Sequence, residues 1–153
     1  KANGEIPDEV KERLLALGKW IKTNEEGIFN STPWVLAEEG PTKLGDIKGH
    51  GFNEDKEFAY SEKDIRFVAK DNALYAFCLG WPGKELQIRS LTAPPAIPIP
   101  KEFYILEDSD IKSISLLGHD GTLDWKLTSM GLQITLPDKK PCEHACTFKI
   151  QWT

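Results

Sequence analysis

The sequence predicts a mainly β protein: an antiparallel β-sandwich of about seven to eight strands, preceded by one amphipathic helix. Two observations carry that class. Near the start, apolar residues recur at helical spacing, and from residue 64 onward they alternate in short runs separated by turn residues. Short strands joined by tight turns bury their apolar faces most simply as two antiparallel layers over one core.

The helix opens at Ile6-Pro7-Asp8-Glu9. Proline suits a first turn because its missing N–H has no partner there anyway, and acidic side chains favour the positive end of the helix dipole. Val10, Leu14, Leu17 and Ile21 then recur at spacings of four, three and four, with Leu15 beside them, while Lys11, Glu12 and Lys19 fall elsewhere. The pattern predicts a helix over 7–23 with one apolar face, stopped by Asn24 and Gly27. Just beyond, Ile28, Phe29 and Trp34 place three large apolar residues within seven positions, which calls for a covering body of protein.

Residues 35–56 carry Gly40-Pro41, Gly45, Gly49 and Gly51 among charges and read as a long irregular connection. The runs 64–70, 73–81, 85–91, 111–118, 123–128, 132–137 and 146–152 each have strand length and strand composition. Asp71-Asn72, Pro82-Gly83, His119-Asp120-Gly121, Met130-Gly131 and Pro137-Asp138 punctuate them. His119-Asp120-Gly121 suits a hairpin. TAPPAIPIP, residues 92–100, has four prolines in nine positions and reads as an extended surface segment, not an inner strand.

The chain has 153 residues, 40% of them hydrophobic and 28% charged, which supports one domain with a real core. The formal charge of -5 comes without any Lys/Arg cluster, so neither nucleic acid nor an anionic membrane is the expected partner. No apolar run approaches the ~18 residues that a spanning helix needs. Lys1 begins no signal-peptide pattern.

Three cysteines, Cys78, Cys142 and Cys146, cannot all pair within one chain, so no disulfide framework is expected. CEHAC, residues 142–146, invites a metal reading. Read as a strand, it sets Cys142 and Cys146 ~13 Å apart at ~3.4 Å per residue. Two thiolates on one zinc lie no more than ~4.6 Å apart, so no metal site is expected. Glu25-Glu26, Glu38-Glu39 and Asp108 with Asp110 are carboxylate pairs, but neighbours in sequence diverge. A glycosidase needs two carboxyls facing one cleft ~5 to 9 Å apart. They read as solvated loop charges.

His50, His119 and His144 accompany no nucleophile, no serine sits in a G-x-S-x-G elbow, and no glycine-rich phosphate loop precedes the helix. Among the five tryptophans, Trp125 and Trp152 alternate with apolar strand positions and read as core. Trp81, before Pro82-Gly83, reads as a rim residue or a platform for a sugar. Asn30-Ser31-Thr32 is formally a glycosylation acceptor and reads as a chance match.

The segment GEIPDEVKERLLALGKWIKTNEEGIFNSTPW resembles the stretch that closes the catalytic barrel in family 29 glycoside hydrolases, the alpha-L-fucosidases. There the pattern runs, approximately, from a D-G-x-I-P lead-in through a helix carrying R-L to G-x-W-L-x-x-N-G-E-A-I-Y-G-T-x-P-W. Ile6, Pro7, Arg13, Leu14, Gly18, Trp20, Asn24, Glu26, Ile28, Pro33 and Trp34 stand at matching positions. Glu25, Gly27, Phe29 and Asn30 replace the family's usual glycine, alanine, tyrosine and glycine. Residues 37–42, 64–83, 111–118 and 132–150 resemble the family's C-terminal domain in order and spacing, with a longer proline-rich insertion between.

The resemblance implies a retaining hydrolase built on a (β/α)8-like barrel, with an aspartate nucleophile and a glutamate acid/base releasing terminal alpha-L-fucose. Those carboxylates precede the D-G-x-I-P lead-in at which this chain starts. The expectation is therefore the C-terminal portion of an alpha-L-fucosidase: residues 1–34 as terminal helix and loop of the barrel, 35–56 as connection, 57–153 as C-terminal β-sandwich domain. It carries no expected catalytic, substrate-binding or metal-ligating residue and no cofactor, and alone it is expected to be inactive. The helix face would lie on the barrel, Ile28, Phe29 and Trp34 would fill the seam, and Glu26 would face that seam or help order a loop near the active-site rim, a direct substrate role being disfavoured because intradomain polar contacts are the commoner use. Implied partners are the missing catalytic barrel, fucosylated glycans and a second copy of the chain. A secreted, periplasmic or lysosomal parent fits the family equally. The competing expectation is a stand-alone carbohydrate-binding sandwich that uses Trp81.

Overall fold

A computed structural model describes residues 4–42, 59–92 and 110–153. In chain order these form α1 (Asp8–Ile28), β1 (Thr32–Glu39), β2 (Ile65–Lys70), β3 (Ala73–Cys78), β4 (Glu85–Ile88), β5 (Ile111–Leu116), β6 (Trp125–Thr128), β7 (Gly131–Thr135) and β8 (Cys146–Trp152). The described strands make two sheets, of order β1-β2-β3-β8-β5 and β4-β7-β6, with antiparallel pairing throughout. This is the expected sandwich.

Strand alternation decides which side chains meet between the sheets. The β3–β8 register sets Leu74 opposite Ile150, Ala76 opposite Phe148 and Cys78 opposite Cys146, and all six are buried in the core. The smaller sheet answers with Leu86 and Ile88 from β4 and Leu132 and Ile134 from β7. Each fully buried Leu or Ile contributes roughly 1.5–3 kcal/mol. The intervening positions, Tyr75 on β3 and Thr147 and Lys149 on β8, face the other way and meet α1. The larger sheet is therefore covered on both faces.

Several elements differ from the sequence reading. The helix does not stop at residue 23 but runs on to Ile28, and Asn24 and Gly27 are its two buried residues. What looked like breakers are the small or polar residues at the point where helix and sheet approach closely. Residues 35–39 of the expected connection, together with 32–34 of the expected loop, form β1, an edge strand whose register shifts between Pro33 and Glu38. An edge position and an irregular register are what a proline in a strand requires. The hairpin expected at His119-Asp120-Gly121 is absent, because β5 and β6 lie in different sheets; this turn carries the chain across the core. Asp71-Asn72 and Met130-Gly131 do join neighbouring strands. Trp125 and Trp152 pack against the core while remaining partly exposed. Gly45, Gly49, His50, Gly51, Asp108 and nearly all of the proline-rich 92–100 segment lie outside the described residues.

Candidate interdomain surface

Contacts made by four residues, Trp20, Asn24, Glu26 and Gly27, fasten the C-terminal half of α1 to the outer face of the larger sheet. The Trp20 indole N–H donates to the Ala145 carbonyl at 2.7 Å, and its ring lies 6.4 Å from that of Phe77. Asn24 donates to the Trp20 carbonyl at 2.9 Å and accepts from the Thr147 hydroxyl at 2.6 Å, both residues being fully buried. Gly27 lies against Tyr75 and Phe77 so closely that a Cβ there would come within 2.9 Å of the Tyr75 ring. Next to it, Glu26 accepts from Tyr75 Oη at 3.0 Å and pairs with Lys149. Lys70 Nζ donates to the Glu26 carbonyl at 3.3 Å. The hydrogen bond from Lys149 pulls the Glu26 carboxyl below its usual range despite partial burial, and burial beside that charge pushes Tyr75 up. Glu26 thus faces the sheet and ties the helix segment to the sandwich by polar contacts.

The other half of the same helix has no such seat. Val10, Leu14, Leu15 and Leu17 are exposed, Leu14 at 54% and Leu17 at 51% of their full accessibility, and Ile6 ahead of them is also exposed. An apolar stripe of this kind usually marks a surface that another body covers. Phe29 at the helix end and Val35 and Leu36 on β1 are exposed as well. Trp34, expected to fill the seam with Ile28 and Phe29, is instead packed on the sandwich core, its ring 5.3 Å from Phe67 and steeply inclined to it.

The edge of the sheet is braced by carboxylates that the sequence reading took for solvated loop charges. Glu39 accepts from the Arg89 and Ser90 backbone N–H groups at 2.8 Å each and from the Ser90 hydroxyl at 2.6 Å, tying β1 to the end of β4. Glu38 lies 3.4 Å from the Arg66 guanidinium. Asp64, which no sequence signal singled out, is completely buried and accepts four hydrogen bonds, from the N–H and hydroxyl of both Thr42 and Ser61. Burial opposes its charge, but those four donors prevail and the carboxyl ends below its usual range. Gly40 passes directly over it at φ +125°, where a Cβ would fall 2.6 Å from the Lys63 carbonyl oxygen.

The family profile described as the alpha-L-fucosidase C-terminal domain matches residues 59–151, more than half of the chain. The chain belongs to that family. This fucosidase C-terminal domain is 29% identical to the tissue alpha-L-fucosidases of Rattus norvegicus and Homo sapiens, over 97% of the chain in each case. In both it spans only 26% of the relative's length. A Thermotoga maritima alpha-fucosidase crystal structure, 21% identical, superposes with a TM-score of 0.64 over 99% of this chain and 28% of that one. That likeness extends to the helix as well as the sandwich.

The remaining candidate residues of the fucosidase C-terminal domain divide by position. A cleft of about 670 Å³ between the sheet edges is lined by Glu39, Glu62, Lys63, Glu85, Leu86 and Arg89, among others. Trp81, next in sequence to the lining residue Pro82, is half-buried against the core. Among the described residues, the three carboxyls whose acidity is clearly displaced, Glu26, Asp64 and Glu143, all move down. A glycosidase general acid needs the opposite displacement. His119 caps its turn through its backbone N–H, donated to the Leu116 carbonyl at 3.0 Å.

The distance argument used against CEHAC rests on a strand that is not there. Residues 141–144 form a bend ahead of β8, and the Cys142 and Cys146 sulfurs are 3.4 Å apart. Two thiols supply half of a tetrahedral zinc site. Among the described residues, no group of three or more His, Cys, Asp or Glu converges to complete one.

Proposed function

We propose that this chain is the C-terminal part of an alpha-L-fucosidase that releases terminal alpha-L-fucose with retention of configuration, and that it acts as a docking and stabilising module. The catalytic aspartate and glutamate belong to a barrel outside the chain. Residues 1–34 supply the barrel's closing helix and loop, 35–56 the connection and 57–153 the sandwich domain, with β1 running from the loop into the connection.

The observation that carries this reading is the divided helix. Its rear turns are fixed to the sheet by buried hydrogen bonds, while Val10, Leu14 and Leu17 stand in water on a chain that spans about a quarter of its relatives' length. A barrel wall would bury that stripe. Trp81 gives the carbohydrate-binding alternative little support, because it packs against the core and is only partly exposed.

Leu14→Gln/Leu17→Gln should leave the melting temperature of this chain alone almost unchanged, since substitutions at exposed sites usually shift stability by no more than about 0.5 kcal/mol. In the longer enzyme the same pair should lower it by several degrees. Equal small effects in both contexts would remove the docking role. The chain alone should release no p-nitrophenol from an aryl alpha-L-fucoside, and clear turnover by pure protein would overturn the placement of catalysis elsewhere.

A further inference from the structure

Neither thiol of the bend before β8 has a part in the docking role. Cys142 is partly exposed, Cys146 is buried, and both are free thiols. Their sulfurs lie 3.4 Å apart, already in contact, and each also approaches the His144 carbonyl, at 3.7 Å and 3.5 Å. A disulfide requires ~2.05 Å between sulfurs, so closure asks for a movement of about 1.4 Å, within reach of small side-chain rotations in an irregular segment. The bend is also the seat of the helix. Between the cysteines, Ala145 offers its carbonyl to Trp20, and a Cβ built on Gly118 would find Thr23 of the helix at 2.7 Å and Pro141 of the bend at 3.2 Å.

We propose that Cys142 and Cys146 form an intramolecular disulfide by exchange with a small-molecule disulfide, clamping the bend on which α1 rests. Cys142, the accessible partner, attacks as its thiolate and bonds to one sulfur of the reagent, expelling the other half as a thiolate that takes up the Cys142 proton. Cys146 then attacks the Cys142 sulfur; the mixed disulfide breaks and the second reagent thiolate leaves with the Cys146 proton. Two protein thiols are oxidised to one disulfide, and one reagent disulfide is reduced to two thiols. Burial pushes the Cys146 thiol up to about 12, which makes this second step the slow one. Cys78, buried in the core with its thiol likewise raised to about 12 by burial, stays reduced.

The test is a peptide map of the purified full chain after incubation with oxidised glutathione, with alkylation of remaining thiols in denaturant. The expected result is one peptide carrying a Cys142–Cys146 bond, lighter by two hydrogens, with Cys78 alkylated and the bond undone by dithiothreitol. The oxidised protein should also melt at a higher temperature than the reduced one, and Cys142→Ser should abolish that difference. If Cys142→Ser does not fold, the wild-type map still decides. Alkylation of both Cys142 and Cys146, a lasting glutathione adduct on Cys142, or a dimer linked through Cys142 would each overturn the proposal.

Discussion

Replacing Asp64 with Asn keeps the shape of the side chain and removes half of its accepting power. The carboxylate now serves two backbone N–H groups that cannot turn away, Thr42 through Oδ1 at 2.9 Å and Ser61 through Oδ2 at 2.8 Å. An amide has one oxygen, so in either orientation one of these N–H groups faces an NH₂ in a fully buried site, while the two hydroxyls can rotate to accept. Losing a charge-assisted hydrogen bond and stranding a buried donor together cost about 2–4 kcal/mol. At about 2–4 °C per kcal/mol for a chain of this size, the melting temperature should fall by about 4–15 °C at neutral pH. Scanning calorimetry repeated through the acid range adds a second check. Because folding lowers the Asp64 pKa, the native state binds fewer protons than the unfolded chain between the two values. The wild-type advantage is therefore complete above the ordinary value of 3.8 and disappears as pH falls through the folded one. An Asp64→Asn protein as stable as the wild type at neutral pH, or a gap unchanged in strong acid, would refute the argument.

Two helix glycines should respond in opposite directions. Gly27→Ala meets Tyr75 and Phe77 at 2.9 and 3.1 Å, and Glu26 pins the Tyr75 ring, so overpacking of about 1–3 kcal/mol outweighs the ~1 kcal/mol of helix propensity gained. Gly18→Ala meets nothing within 4 Å and should stabilise by about 1 kcal/mol in urea titrations. Asn24→Ala strands the buried Thr147 hydroxyl and should cost about 1–3 kcal/mol; combining it with Thr147→Val should recover part of the loss in a double-mutant cycle. Glu26→Gln removes a partly exposed ion pair and should cost no more than about 1 kcal/mol. With the Glu26 pKa lowered by folding, that difference should be complete above 4.5 and close on acidification, as denaturant midpoints across the pH range will show.

Seven of the eight described strands were legible because each is a short apolar-rich run between turn signals, most of them alternating apolar and polar residues, and every one of those runs contains a strand. β1 was not legible. Its exposed Val35 and Leu36 and its proline blur the alternation, and only pairing with β2 reveals the segment as a sheet edge. The apolar stripe of α1 was read correctly, but its end was not. Asn24 and Gly27 carry the composition of a helix stop, and only the proximity of Thr147 and Tyr75 explains why they sit inside the helix. Asp64 carried no signal and Glu39 read as a solvated loop charge for a similar reason: their donors lie 22 and 51 residues away at the widest, beyond any local pattern. The cysteine pair was misjudged because CEHAC was continued backward into the strand that follows it.

The unbroken course of α1 bears on motion. Helix hydrogen bonding continues from Asp8 to Ile28, through Gly18, with neither proline nor loop between its seated and unseated turns. Any body that grips the leading turns therefore shares a stiff rod with the sandwich, with no swivel between them. Relative rotation of the two would have to strip Trp20 and Asn24 from their carbonyl and hydroxyl partners, so displacement on one side is carried across undiminished.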